Sequence, residues 1–300
     1  MVTEDIQAKR PLVSTIKERC RVCYTCVREC PAKAIKIING QAEVISDRCI
    51  GCGNCIKVCS QNAKVFRRET DIVEQLLATG DKIAALIAPS FPAEFNEIIN
   101  HRHLVSMIRA IGFHYVAEVA FGADLVAREY KKVYNNTTSL PVISSDCPAI
   151  VSYIEHYHPN LIESLSHLVS PMVAMSRVMR KKYGNDLRIV FIGPCIAKKD
   201  ETTEIDAALT FRELREMLNN RKLTPNSVQP TDFDPPLGGK GAIFPISRGL
   251  LNTMELREDI FEHNIIIAEG RRDFQDAIKE FENNPGSQAH LELLCCEGCI

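Results

Sequence analysis

The sequence predicts a small α+β unit at the N-terminus, residues 1–68. It predicts a larger α/β unit of mostly parallel sheets flanked by helices over residues 69–300. Three observations lead there. Eight of the thirteen cysteines lie between Cys20 and Cys59 in a repeated motif. Beyond Glu69 short apolar runs alternate with stretches of helical period. The loops between these runs are short, as where helices cross over between parallel strands.

The first unit is read from its repeat. Residues 20–31 are CRVCYTCVRECP and residues 49–60 are CIGCGNCIKVCS, two copies of Cys-x2-Cys-x2-Cys-x3-Cys at a period of 29. Between them AIKIINGQAEVI reads as a hairpin turning at Asn39-Gly40. In this bacterial run three thiolates from one loop and the fourth Cys of the other motif hold each 4Fe–4S cubane. On that rule Cys20, Cys23, Cys26 and Cys59 hold one cluster, and Cys49, Cys52, Cys55 and Cys30 the second, making this a two-cluster ferredoxin-type domain. Pro31 follows Cys30 as the motif asks; Ser60 stands in place of the second proline. Structural zinc also takes Cys-x2-Cys pairs, but it does not require a fourth cysteine at the same offset twice. Residues 11–68 carry 11 Lys and Arg against 4 Asp and Glu, a balance that compensates anionic clusters.

In the second unit, 83–90 and 188–193 read as strands and 140–145 as a further one. YVAEVAF is expected as strand throughout, with ADLVAREYKKVY the helix after it. FRELREMLNN and RRDFQDAIKEFENN read as helices, NIIIAEG and HLELL as late strands, and 223–241 as a long surface loop. Met172, Met175 and Met179 fall on one helical face and read as core.

Bulk composition narrows the function classes. Apolar residues make up 45% and charged residues 25%, the balance of a globular chain. Net charge is −2, which offers no field for nucleic acid or an anionic membrane. No run approaches the roughly 18 apolar residues of a membrane span. The first residues show no secretory pattern, and a cytoplasmic location is expected. In that reducing compartment metal binding accounts for thirteen cysteines better than disulfides do.

Three further cysteine motifs remain: SSDCPAI (144–150), GPCIAKKDE (193–201) and LLCCEGCI (293–300). Cys147 and Cys195 each follow a predicted strand, where α/β folds place their ligands. With these loops in this order the whole chain resembles the FeFe hydrogenases, whose signatures are T-S-C-C-P, P-C-x-x-K-x-x-E and C-x-x-x-C. The resemblance implies a third 4Fe–4S cluster on Cys147, Cys195, Cys295 and Cys299. It also implies a diiron unit with CO, cyanide and azadithiolate ligands, bridged through Cys299. Lys198 then hydrogen-bonds one cyanide, Ala88-Pro89-Ser90 approach the other, Glu201 closes its loop and Met172 lines the pocket. FGADL (121–125), Ser170-Pro171 and GAIFPISRGLL (241–251) resemble flanking segments. Cys296 is left unassigned.

Departures gather at the same place. The first of the family's paired cysteines, a proton relay, is Asp146 here, readable either as a carboxyl relay or as a cap for the following helix. Tyr130 and Val133 occupy the positions of two family glutamates, and Gly193 that of a methionine. The expected activity is therefore slow, reversible cleavage of H2 to protons and electrons by a sensory-type hydrogenase, with Asp146 and Lys198 as catalytic residues. H2 and a redox partner, a ferredoxin-like carrier or a signalling domain, are the implied partners; the oligomeric state is open, a homodimer included. The alternative is a hydrogenase-like iron–sulfur assembly or electron-transfer protein without a diiron unit. The eight N-terminal cysteines and Lys198 weigh against the assembly reading.

Overall fold

The computed structural model describes residues 11–135, 140–256, 265–284 and 289–299. In the first unit β1 (Val13–Thr15) pairs antiparallel with β4 (Lys64–Phe66), and β2 (Ile35–Ile38) with β3 (Gln41–Val44). Asn39 and Gly40 both take positive φ, the geometry a two-residue turn needs to match strand twist. The repeat is a structural one as well. The 3-10 turns Lys17–Arg19 and Ser46–Arg48 and the short helices Thr25–Arg28 and Asn54–Lys57 recur at the sequence period.

The second unit is built on a four-stranded parallel sheet in the order β6 (Tyr115–Glu118), β5 (Ile83–Ile87), β7 (Arg188–Gly193), β8 (Ala207–Thr210). Every residue of β5 is buried, as a central strand covered on both faces requires. Helix Phe211–Asn220 begins with a reciprocal capping box between Thr210 and Glu213. A smaller parallel pair, β9 (Ile265–Glu269) with β10 (His290–Leu294), carries the chain to the last cysteines. Met172, Met175 and Met179 are buried in the main core. These layers are a ferredoxin-like dicluster domain followed by an α/β domain with mostly parallel sheets and flanking helices.

Two local expectations are corrected. YVAEVAF is strand only to Glu118; Val119 opens helix Val119–Tyr134, its first residues packed inward. Residues 140–145 do not form a strand: only Ile143 bridges, to Leu165 and Leu291. Pro141 has no N–H to donate, and the Ser144 hydroxyl accepts from the Leu293 amide at 3.0 Å, so side chain replaces ladder there.

A charged network joins the two units. Arg67 donates to Glu69 Oε1 at 3.0 Å and to Asp200 Oδ1 at 2.5 Å. Glu69 in turn accepts from the Ala208 amide, and its own amide donates to Glu213 Oε1 at 2.8 Å. Lys199 completes the chain, bonding Glu213 Oε2 at 2.9 Å and the Ala208 carbonyl with its side chain fully enclosed. Removing one member of such a pair strands the other charge in the core. Lys199→Met is expected to lower unfolding free energy by about 3–5 kcal/mol, read from urea melts.

Candidate functional site

The cysteines gather where the two units meet. Cys26, Cys30 and Cys295 are buried in one apolar core with Ile150, Ile154, Phe274 and Leu293. Cys20, Cys49, Cys52, Cys55, Cys147 and Cys195 pack against it from the edge. Gly51 and Gly53, both at positive φ, place the Cys49–Cys55 loop on the loop after β7. A Cβ on Gly51 would stand 2.8 Å from Leu12 and 3.3 Å from Ala197, and one on Gly53 would stand 3.3 Å from Ile196. Their repeat counterparts Val22 and Tyr24 hold the same positive φ without being glycine, on the loop that carries the exposed Cys23. Close packing against Ile196 and Ala197 therefore accounts for glycine in one copy only.

Cys26 lies within electrostatic reach of Cys20, Cys23 and Cys59, and Cys55 within reach of Cys49, Cys52 and Cys30. Cys30 and Cys59 accept amide hydrogen bonds from Ala34 and Ala63, each at 3.3 Å. In the second unit Cys299 neighbours Cys147, Cys195 and Cys296. Cys295 makes its side-chain hydrogen bond with Cys52 of the other unit. Burial pushes most of these thiols up, Cys55 to about 12 and Cys195 to about 11. Cys52, held by Cys295, is brought down to about 7.

Lys198 is spent within the protein. It ion-pairs with Glu201 and donates to the Asp146 carbonyl at 3.2 Å. Burial opposes its ammonium, but Glu201 outweighs that and raises its pKa. Glu201 is itself bonded by the Ser170 hydroxyl. Ala88 and Ser90 are buried at the end of β5, beside the partly covered Pro89, and the Ser90 hydroxyl has no protein partner. Met172 stands in the main core. A Cβ at Gly193 would meet the Phe191 ring at 2.5 Å and Ala88 at 2.9 Å, which leaves no room for the family methionine. Asp146 does not cap the next helix, whose N-cap is Cys147. Burial pushes its carboxyl up to about 7, and Oδ1 has no partner. Tyr130 Oη accepts from the Ser145 amide at 2.9 Å. A cleft of about 720 Å³ follows the seam, with Leu12, Cys49 and Arg67 on one side and Ser145, Ser170 and Glu201 on the other.

This arrangement corrects the cofactor expectation. Among the described residues no group of three or more His, Cys, Asp or Glu side chains is placed to hold a metal ion. A ligating thiol must give up its proton and converge with its partners. Here burial raises the pKa of Cys26, Cys49, Cys55, Cys147, Cys195 and Cys299, and Cys295 pairs with a cysteine of another expected set. The donor sets do not fit three resident 4Fe–4S clusters, nor a diiron unit with CO, cyanide and azadithiolate. The expectations that depended on them fall together: hydrogenase activity, H2 as a partner, and a redox partner protein.

A dicluster-type domain on a hydrogenase-type α/β domain is the class that fold and cysteine pattern define. Residues 12–60 match the 4Fe-4S dicluster domain, and residues 81–300 match the family described as iron only hydrogenase large subunit, C-terminal domain. The chain belongs to that iron-only hydrogenase family. Iron hydrogenase 1 of Clostridium pasteurianum is 26% identical over 295 residues, covering 83% of this chain and 51% of that protein. A probable cytosolic Fe–S cluster assembly factor of Drosophila ananassae is 24% identical, covering 80% of this chain and 64% of its own. The chain thus spans about half to two thirds of these relatives. A variant of the [FeFe]-hydrogenase HydA1 from Chlamydomonas reinhardtii shares the fold with a TM-score of 0.61. Its identity is 18%, over 76% of this chain and 82% of that one. No helix among the described residues is long and apolar enough to cross a membrane.

Glu292 was not singled out in the sequence, although period two in HLELL places it with His290 on the face opposite Leu291 and Leu293. Burial, reinforced by Asp146, pushes its carboxyl up to about 8 from the ordinary 4.5. The neutral acid thus stabilises the fold fully below about 4.5, and that contribution is lost as pH rises through about 8. Glu292→Gln is expected to flatten this fall in thermal stability, measured by melts across that range.

Proposed function

We propose that the chain is a hydrogenase-like iron–sulfur assembly protein that works without a diiron unit, with the iron–sulfur group as cargo rather than resident cofactor. One observation carries the reading: cysteines of both units share a single core and touch across the seam at Cys52 and Cys295, yet among the described residues they form no metal-holding set. An electron-transfer protein needs clusters permanently in place, which these donor sets do not fit. Lys198, first weighed against assembly, is engaged by Glu201 and Asp146. The assembly-factor relatives support the same reading. The replacements at Asp146, Tyr130 and Val133 fit lost turnover machinery better than a sensory-type member. We divide the chain near residues 68 and 69, and take Cys20, Cys23, Cys26, Cys30, Cys49, Cys52, Cys55, Cys59, Cys147, Cys195, Cys295 and Cys299 as the thiols that cargo meets. Thirteen free thiols fit a cytoplasmic setting.

The full chain, purified anaerobically and incubated with ferrous iron and sulfide, is expected to take up iron. It is then expected to pass that iron, with sulfide, to a metal-free acceptor ferredoxin, followed by visible circular dichroism. Dye reduction under H2 is expected to stay at background. H2-dependent reduction, or failure to take up iron and sulfide, would overturn the reading.

A further inference from the structure

The two copies of the N-terminal repeat meet different surroundings. In the second copy Ile50 is buried in the shared core, Gly51 and Gly53 pack on Ala197 and Ile196, and Tyr157 donates to the Arg48 carbonyl at 3.0 Å. That face is the seam with the second unit. A shift of 29 residues carries it onto the first copy, and the backbone follows: Val22 and Tyr24 hold the positive φ of Gly51 and Gly53, and Lys33 that of Asn62. The equivalent face is open. Arg21 is exposed where Ile50 is buried, and Tyr24 is 50% exposed where Gly53 packs on Ile196. Arg19, the counterpart of Arg48, reaches the Asn62 carbonyl of its own unit at 3.5 Å. The Arg28 amide donates to the Tyr24 carbonyl at 3.0 Å, and Lys33 Nζ donates to the Arg28 carbonyl at 3.2 Å, so these side chains leave one loop together. Charge follows the same division. Residues 17–33 carry five Lys and Arg against two Glu, whereas residues 46–62 carry two against one Asp. Compensation of cluster charge would act on both copies alike, since both carry the same four cysteines. The excess sits instead on the copy that faces solvent. Lys17 meets Glu43 at 3.8 Å, but Arg19, Arg21, Arg28 and Lys33, all exposed, form no ion pair among the described residues.

We propose that the open face of the first repeat copy, centred on Tyr24 and ringed by Arg19, Arg21, Arg28 and Lys33, docks an acidic surface of a partner protein. The inference goes beyond the assembly reading and does not depend on it. An exposed tyrosine among arginines is the make-up of a protein contact, where both residue types are enriched. The unpaired cations fix the sign of the surface that fits. Long polyanions suit the chain less well: its net charge of −2 gives nucleic acid or an anionic membrane no attractive field beyond the patch itself. The repeat thus presents one docking face twice, once apolar and filled by the second unit, once basic and free.

The test titrates poly-L-glutamate into the anaerobically purified full chain and follows binding by calorimetry. The wild type is expected to bind, and to bind more weakly as salt rises. The double variant Arg21→Glu with Arg28→Glu is expected to lose about tenfold in affinity. Lys132→Glu with Arg212→Glu changes net charge equally at exposed positions of the second unit and is expected to bind as the wild type does. Should the first variant fail to fold, Arg21→Gln with Arg28→Gln carries the same comparison. No binding by the wild type, equal affinity in the Arg21 and Arg28 variant, or an equal loss in the second-unit control would overturn the docking face. Tighter binding to phosphatidylserine vesicles than to the peptide, lost on the same reversal, would overturn a protein as the partner. So would wild-type self-association that the reversal abolishes, seen by sedimentation, since the face would then belong to a second copy. None of these readouts involves iron, so failure here leaves the assembly reading standing.

Discussion

The two units are held together by a core that neither could build alone. A unit of some sixty residues has little apolar surface to bury, and small domains of this size are marginal on their own. Here the first unit lends Ala32, Ala34, Ile35 and Ile50 to a core completed by Ile150, Ile154, Phe274, Leu291 and Leu293 from the second. The cysteines are part of that packing, as small and partly apolar side chains. Burial raises the cost of the thiolate at Cys26, Cys49, Cys55, Cys147, Cys195 and Cys299. The same contact that stabilises the fold therefore sets the chemistry of the thiols.

Charge is managed around this core in three ways. Lys199 is enclosed but fully paired, with Glu213 and, through it, Glu69 and Arg67 spanning both units. Lys198, the next residue back, is turned toward Glu201 and the Asp146 carbonyl. Lys64 bonds the Thr15 hydroxyl and the Ala42 carbonyl and, among the described residues, meets no carboxylate. Adjacent lysines on one short turn thus do different work: Lys199 fastens the seam, while Lys198 ties two cysteine loops of the second unit to each other.

Much of the fold was legible because its signals are local. The repeat set the N-terminal unit, and Asn39-Gly40 set its turn. The misreadings share one cause, competition between local pattern and distant packing. Residues 119–121 read as strand by composition, yet Val119 and Ala120 are buried as a helix begins. Of the two readings of Asp146, relay or cap, the cap fails: Cys147 is the N-cap of the next helix and the carboxyl is left buried. At the site, motif order identified the family and the neighbouring cysteines. Whether neighbouring thiols form a metal-holding set depends on angles, protonation and cross-unit pairing, none of which spacing encodes.

The replacements around Cys147 and Cys195 are consistent with one another in physical terms. Gly193 brings β7 so close to Ala88 that no longer side chain fits. Asp146 puts a buried carboxyl where the family has a thiol, and burial raises its pKa to about 7. Tyr130 stands where the family has a glutamate, anchored to the Ser145 amide and hydroxyl. Burial drives its pKa upward, so it exchanges protons poorly near neutrality. Lys198 and Glu201, which both match the family's loop, ion-pair with each other. Together the replacements put a carboxyl and a phenol where the family has a thiol and a glutamate and narrow the end of the central strands, while the fold and the cysteines remain.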